Sequence, residues 1–331
     1  MSDRPLTVAG ILAITADFLA KKDPSCPRLE AELLLGRVLG LKRVSLYVNF
    51  ERLLSEAEIC QYRELVRRRA AHEPVAYILG QKEFYGLDLS VTPDTLIPRP
   101  ETEHLVDEAL RLLKEAAEGP AQEPDLPPEE DPESGDGGEP PKAPAPGPAR
   151  EPETVPGQAR PVPEPLVADI GTGSGAIALA LLSAHPTLRV EATDVDPKAL
   201  AVASLNAKKL GLDARVAFHE GDLAAPLAGK SLDLVCANLP YVPDRDMDSL
   251  APTVALYEPS LALRGGPEGL DLIARLLSSV RPLLSEEGFV LLEIWPDSLP
   301  KVQALAAQAG LTPMAPVLDY SKKARIFVAQ A

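Results

Sequence analysis

Long apolar runs are missing from this sequence of 331 residues. No stretch of about eighteen uninterrupted apolar residues occurs, which excludes a membrane-spanning helix as a reading. The opening residues, Met1-Ser2-Asp3-Arg4, show no charged segment followed by an apolar core. No secretory leader is therefore expected, and the cytoplasm is the expected location. Cysteine is scarce: Cys26, Cys60 and Cys236 stand far apart, without a CxxC pair. That spacing offers neither a disulfide framework nor a metal set and suits a reducing compartment. All three are expected to be small buried hydrophobes. Basic clusters are few as well. The formal net charge is −16, and only Arg67-Arg68-Arg69 and Lys322-Lys323 gather positive charge. Nucleic-acid binders present a basic face that neutralises phosphates. Both clusters are expected to be solvated faces, and no direct nucleic-acid partner is expected.

What is present divides into parts. The length exceeds the usual single domain, so two domains plus irregular sequence are expected. Residues 118–165 hold 15 of the 35 prolines and 12 acidic residues against 3 basic ones. Such a stretch cannot bury enough apolar surface to offset its ordering entropy, and it reads as a disordered tether. Ahead of it, Ile11, Leu12, Ile14, Phe18 and Leu19 recur at helical spacing, as do Leu29, Ala31, Leu33, Leu34, Val38 and Leu39. Gly40 punctuates the second helix, and Ser55 with Glu58 resembles a capping box. Residues 1–73 are thus expected to form a small helical bundle. In a connector over 74–101, Phe84 to Val91 alternates around Gly86 as a β-hairpin does. A helix over 102–117 leads into the insert.

Beyond the insert, strands are expected at 166–170, 189–193, 216–219, 232–237 and 289–294. Helices are expected between and after them at 176–184, 197–210, 269–284 and 300–309. This alternation predicts an α/β domain over 102–331 with a doubly wound, mostly parallel sheet, interrupted by the insert. Ligands of such sheets bind at the carboxyl ends of the strands, near the switch in strand order.

The chemistry-bearing motifs fall at those ends. The first strand runs into Asp169-Ile170-Gly171-Thr172-Gly173-Ser174-Gly175-Ala176. Alternating glycines let the backbone turn tightly and approach a ligand. They are also expected to expose amides at a helix start, where a negatively charged ligand group is favoured. About 20 residues on, the second strand ends at Asp194, whose carboxylate can accept both hydroxyls of a ribose. Asp196, preceding Pro197, is expected to cap the next helix. Asp222, followed by Leu223, comes after the third strand, within reach of an adenine ring. A dinucleotide fingerprint reads GxGxxG, whereas these glycines alternate as GxGxG behind Asp169. That form is similar to the first motif of methyltransferases, so S-adenosylmethionine is preferred to NAD.

The fourth strand ends in Asn238-Leu239-Pro240-Tyr241. A nitrogen attached to a carbonyl or an aromatic ring is a poor nucleophile because its lone pair is delocalised. Accepting hydrogen bonds from both of its N–H groups orients it and favours charge build-up on it. The Asn238 side-chain oxygen and the Leu239 carbonyl supply such a pair of acceptors. Pro240 stiffens the turn through its fixed φ, and Tyr241 offers a flat face to a planar group. A sulfonium is already an activated donor, so positioning and electrostatics dominate.

With these motifs the chain resembles the release-factor glutamine N5-methyltransferase family over nearly its whole length outside the insert. Pro74 to Gly80 with Glu83-Phe84-Tyr85-Gly86 is similar to that family's interdomain connector. Leu96-Ile97-Pro98-Arg99-Pro100-Glu101-Thr102-Glu103 is similar to its signature loop, and Tyr257 to Leu263 with Gly265-Gly266 and Gly269-Leu270 to its late segment. The resemblance implies a Rossmann-like class I methyltransferase domain behind a helical substrate-recognition domain. It implies S-adenosylmethionine as methyl donor, S-adenosylhomocysteine as product, and no metal. The substrate it implies is the glutamine of the Gly-Gly-Gln motif in bacterial class I peptide chain release factors, the proteins of translation termination. By the same resemblance Gly171, Thr172, Gly173, Ser174, Gly175, Asp194, Asp222, Leu223 and Asn238 hold the cofactor. Asn238, Leu239, Pro240 and Tyr241 hold the glutamine amide, with Asn238 as the catalytic residue.

Two departures stand out. Family members usually carry Asn-Pro-Pro-Tyr where this chain has Leu239 in second place, and commonly glycine where it has Trp295. Two further readings stay open. Asn-Leu-Pro-Tyr is also similar to the acceptor motif of rRNA adenine dimethyltransferases, which points to an adenine N6-methyltransferase acting on DNA or rRNA. The net negative charge counts against it. A non-catalytic cofactor-binding scaffold is the other reading; loss of Asn238 or Asp194 would mark it, and both are present.

Overall fold

A computed structural model describes residues 6–22, 26–118 and 164–331. The tether predicted over 118–165 lies, apart from its edges, outside the described residues.

The N-terminal part contains α1 (Val8–Ala20), α2 (Pro27–Leu39), α3 (Arg43–Val48), α4 (Glu56–Ala70) and α5 (Val75–Leu79). Thr7 caps α1 by accepting from the Gly10 amide at 3.1 Å, and α2 stops at Gly40 in the left-handed region, φ 64°. Ser55 and Glu58 form the reciprocal capping box of α4. Leu12, Leu34, Leu35, Leu46 and Tyr62 bury a common core. The Tyr62 hydroxyl is satisfied there by donating to the Ala31 carbonyl at 3.0 Å.

Two surface expectations are corrected. Arg67 and Arg68 pair with Glu64 and Glu73, but Arg69 is only 3% exposed and ion-paired with Glu30 at 2.9 Å. Successive helical positions rotate by about 100°, so three in a row span about 200°, and the third here turns inward against α2. Cys236 is buried, whereas Cys26 and Cys60 are exposed. Cys26 precedes the first turn of α2 and Cys60 lies on the outer side of α4. Their places on the helices, not their residue type, set that exposure.

The connector folds into a hairpin, β1 (Gln81–Phe84) and β2 (Leu87–Ser90), paired antiparallel. Tyr85 and Gly86 both carry positive φ, 50° and 74°, as a two-residue primed turn demands. Phe84 and Leu89 pack into the core of the sheet domain, not into that of the helices. A 3-10 turn over Pro100–Thr102 then enters α6 (Glu103–Glu118).

The sheet domain follows as β3 (Leu166–Ile170), α7 (Ala176–Ala184), β4 (Arg189–Asp194), α8 (Pro197–Leu210), β5 (Val216–Glu220) and β6 (Leu232–Ala237). It continues with α9 (Pro252–Ala255), α10 (Asp271–Val280), β7 (Leu284–Glu293), α11 (Leu299–Gln308), β8 (Thr312–Pro313), β9 (Val317–Leu318) and β10 (Ala324–Gln330). Strand order is β5-β4-β3-β6-β7-β10-β8, with β9 on β10. The five strands from β5 to β7 are parallel, and β10 pairs antiparallel with β7, β8 and β9. Alternation along β6 sends Leu234 and Cys236 to one core and Val235 and Ala237 to the other. Both faces of the sheet are therefore covered, which explains the continuous apolar runs. Sequence direction reverses between β3 and β6, and the crevice outside their carboxyl ends is where a ligand fits. The doubly wound, mostly parallel α/β fold is thus present. The three C-terminal strands went unread in the sequence: β8 and β9 are two residues each, too short for a periodic signal.

Candidate active site

A cavity of about 310 Å³ opens at that crevice, within the range of small-molecule sites. The glycine turn, Asp194, Leu223, Asn238 and part of the 96–102 loop all line it.

The glycine turn is built as its spacing suggests. Gly171, Gly173 and Gly175 all take positive φ, and a Cβ on Gly175 would press on Leu179 and Ala203 at 3.1–3.3 Å. The expectation of exposed amides holds in part, because four of the turn's amides are engaged within the chain. Gly171 and Thr172 donate to the Thr193 carbonyl at 2.9 Å, and Gly175 donates to the Thr172 carbonyl at 2.8 Å. Gly173 donates to Asp194 Oδ2 at 2.9 Å. The neighbouring strand β4 thus takes the amides of Gly171, Thr172 and Gly173, while those of Ser174, Ala176 and Ile177 at the start of α7 stay open beside the cavity.

Two carboxylates stand beside the turn, Asp169 fully buried and Asp194 half-buried. Asp169 accepts from Thr172 Oγ1 at 2.7 Å and from the Ala178 amide at 3.1 Å, both on Oδ2. Its Oδ1 is buried without a hydrogen-bond partner. Burial pushes the Asp169 pKa up to about 6, and the nearby Asp194 charge adds to the shift. Burial also raises Asp194, although the Asp196 and Gly173 amides oppose it. A turn with three amides turned back onto β4 and two carboxylates beside it, one buried and one half-buried, favours a positively charged ligand group over a pyrophosphate. The donor set therefore fits the ammonium and sulfonium charges of S-adenosylmethionine better than it fits NAD.

The surrounding positions are arranged as follows. Asp196 caps α8, accepting from the Lys198 amide at 2.9 Å. Leu223 carries φ 50°, and its carbonyl accepts from Thr193 Oγ1 at 2.8 Å. Asp222 borders the cavity, but its carboxylate is tied to Arg275.

Across the cavity, Asn238 follows β6. Its Nδ2 donates to Thr102 Oγ1 at 3.1 Å and to Glu293 Oε2 at 2.9 Å. Thr102 Oγ1 donates to Glu293 Oε2 at 2.5 Å, and Tyr241 Oη donates to Glu293 Oε1 at 3.0 Å. Glu293 is 2% exposed. Burial raises its pKa, while the Thr102 and Tyr241 hydroxyls and the Arg325 charge pull it back. Leu239 is buried, and its side chain would lie 3.2 Å from a Cβ on Gly171. The residue that departs from the family pattern thus closes the gap between the acceptor lip and the glycine turn.

The backbone of the lip is clamped. Val242 donates to the Leu263 carbonyl at 2.9 Å and accepts from the Gly265 amide at 2.8 Å. A Cβ on Gly265 would come within 2.8 Å of Tyr241 Cα, and one on Gly269 within 2.3 Å of the Tyr241 carbonyl. Gly265 and Gly269 of the late segment are there because the lip passes directly over them. The signature loop is held to the same segment: Glu258 accepts from the Ile97 amide at 3.2 Å and pairs with Arg99. Trp295 takes φ −69°, open to any residue, so glycine is not required there; its ring centroid stands 6.4 Å from that of Tyr241.

Sequence reasoning missed Glu293, Glu258 and Asn206, and gave Thr102 no role. Asn206 is fully buried and bridges the hairpin to the glycine turn, with its Nδ2 donating to the Ser90 and Ser174 carbonyls at 2.9 Å. The available signal was a polar residue ending or interrupting an apolar run, as Glu293 does after Val290, Leu291 and Leu292.

Comparison with known proteins agrees with this geometry. Residues 11–80 match the family model described as the PrmC N-terminal domain, and residues 159–260 match that of the methyltransferase small domain. The chain is similar to the release factor glutamine methyltransferase of Rhodopirellula baltica, 36% identical over 93% of this chain and 90% of that one. It is similar to that of Geobacter sulfurreducens, 36% identical over 94% and 92%. A third similarity is to that of Moorella thermoacetica, 38% identical over 92% and 91%.

Proposed function

The chain belongs to the release factor glutamine methyltransferase family, and on that premise we propose that it methylates the side-chain amide nitrogen, N5, of the Gly-Gly-Gln glutamine in bacterial class I release factors. The observation that carries this reading is the pairing of two unlike walls across one cavity. The glycine turn with Asp194 and the Asn238–Pro240 stretch of the lip face the same space, joined by Leu239 packed over Gly171.

S-adenosylmethionine supplies an electrophilic methyl group on a sulfonium when it is bound. Asp194 at the end of β4 would accept from ribose hydroxyls, Leu223 and the Asp222 segment would flank the adenine, and the Asp194 charge, with Asp169 buried behind the turn, would favour the positive end. Asn238 Oδ1 and the Leu239 carbonyl accept the two amide protons of the glutamine. That grip would keep the NH2 plane fixed and stabilise the charge that develops on nitrogen as its bond to the methyl forms and the donor's C–S bond breaks, the surplus amide proton then passing to solvent. Tyr241 covers one face of the carboxamide. No strong base is needed before transfer. Such a substrate places the chain with the translation machinery in the cytoplasm.

The test is incubation with a purified class I release factor and methyl-labelled cofactor, followed by mass spectrometry. A gain of one methyl on the Gly-Gly-Gln glutamine is expected. Label appearing only in RNA or DNA would overturn the reading in favour of an adenine methyltransferase.

A further inference from the structure

A carboxamide can be turned by 180°, exchanging its oxygen and its NH2. The proposed function needs the oxygen of Asn238 in the pocket, so something must set that choice. Two atoms face the Asn238 amide from behind, Thr102 Oγ1 and Glu293 Oε2. The single hydroxyl proton of Thr102 is already donated to Glu293, leaving Thr102 Oγ1 only lone pairs to offer Asn238. Glu293 meets donors on both oxygens, so the oxygen facing Asn238 acts there as an acceptor too. Turning the amide over would bring its oxygen against two acceptors at 3.1 and 2.9 Å. The carboxylate cannot swing aside to relieve this, because Tyr241 holds its other oxygen at 3.0 Å.

We propose that Glu293 and Thr102 are positioning residues that lock the Asn238 amide with its oxygen toward the pocket, so that the lip takes a side-chain carboxamide and rejects a carboxylate. This rests on the glutamine reading and deepens it. A lip made only of acceptors welcomes an NH2 and repels the oxygens of glutamate, the acid counterpart of the same shape.

The decisive variant is Glu293→Gln, which keeps the shape but can present an NH2 to Asn238 and so permits the turned amide. With a release factor as substrate, kcat should fall about 10²-fold, the scale of a misplaced reactant. Affinity for S-adenosylhomocysteine, read by calorimetry, should hardly move, which also shows that the variant is folded. A second readout separates orientation from general damage. A release factor whose Gly-Gly-Gln glutamine is replaced by glutamate should compete poorly against the parent enzyme, and the preference for glutamine should narrow about tenfold in Glu293→Gln. Thr102→Val should lose rate in the same way, and Thr102→Ser, which restores the hydroxyl, should recover most of it. Unchanged kcat, or a lost kcat with the preference intact, overturns the lock.

The lock is also visible without any substrate. The Asn238 side-chain NH2, assigned in a nitrogen–proton NMR spectrum by its disappearance in Asn238→Asp, should exchange slowly with solvent in the parent and lose protection in Thr102→Val. Fast exchange in the parent overturns the proposal. Should the parent fail to methylate a release factor, the substrate reading fails by itself, and the lock still stands or falls on this signal.

Discussion

Asp169 and Glu293 are both buried carboxylates near strand ends, one behind the glycine turn and one behind Asn238, yet they are completed differently. Glu293 receives three donors spread over both oxygens, all from the chain itself. Asp169 receives two donors on one oxygen and none on the other. Leaving a buried acceptor unmatched costs roughly 1–3 kcal/mol or more when charged, so the difference is one of purpose. A carboxylate saturated from within orders protein groups, here the Asn238 amide and the Tyr241 hydroxyl. A carboxylate left incomplete carries a charge that no donor of the chain fully answers.

The largest effect should come from removing what the finished carboxylate orders. Asn238→Ala should lower kcat about 10³-fold, as loss of one preorganised partner of developing charge does, with cofactor affinity falling far less. Initial-rate kinetics beside calorimetric titration of S-adenosylhomocysteine reads both. Undiminished methyl transfer would remove Asn238 from the mechanism and leave the saturation of Glu293 without a purpose.

The unfinished carboxylate predicts a smaller effect with a distinctive pH dependence. The folded Asp169 has a pKa of about 6, raised from the ordinary 3.8. A carboxyl raised on folding contributes full stability below its unfolded pKa and loses that contribution as pH rises through the folded value. The parent should therefore lose on the order of 2 kcal/mol between about pH 4 and 6 from this group. Asp169→Asn keeps an oxygen for Thr172 and Ala178 and has no such titration. Its stability advantage over the parent should grow across that window and level off above it, as followed by chemical denaturation at several pH values. The same variant should bind S-adenosylhomocysteine about tenfold more weakly. An advantage that does not change with pH would mean that Asp169 is ionised in the folded chain at no penalty, and the contrast with Glu293 would lapse.

How much of this was legible beforehand follows the range of the interactions. The strands 166–170 and 232–237 were read to the residue because a covered parallel strand is a local run of apolar side chains. The glycine turn and the Asn238–Tyr241 lip were readable as motifs for the same reason. Where the turn's amides go was not readable, because Thr193 and Asp194 reach them only through the register between β3 and β4. The lock was harder still. Thr102 and Glu293 are separated by 191 positions and meet only once the chain has folded. Nothing in either neighbourhood announces the other. The signature loop, the late segment and the end of β7 looked like separate motifs in sequence, and the structure makes them one support for the lip.

The smallest expected effect concerns a third carboxylate, which belongs to neither class. Asp222 borders the cavity on the cofactor side, but it is about half exposed and joined to Arg275, itself about half exposed. Solvent screens such a pair, and its contribution to stability is at most about 1 kcal/mol. Arg275→Ala should therefore leave the unfolding midpoint close to that of the parent. If the pair exists to hold Asp222 against the adenine, the KM for S-adenosylmethionine should rise a few-fold with kcat unaltered, the signature of uniform binding lost. If Asp222 acts on the ligand directly, freeing it from Arg275 should lower that KM instead. Asp222→Ala supplies the reference, since it raises KM in either case. The sign of the Arg275→Ala change thus decides whether this exposed carboxylate resembles Glu293, ordered by the chain, or Asp169, left incomplete by it.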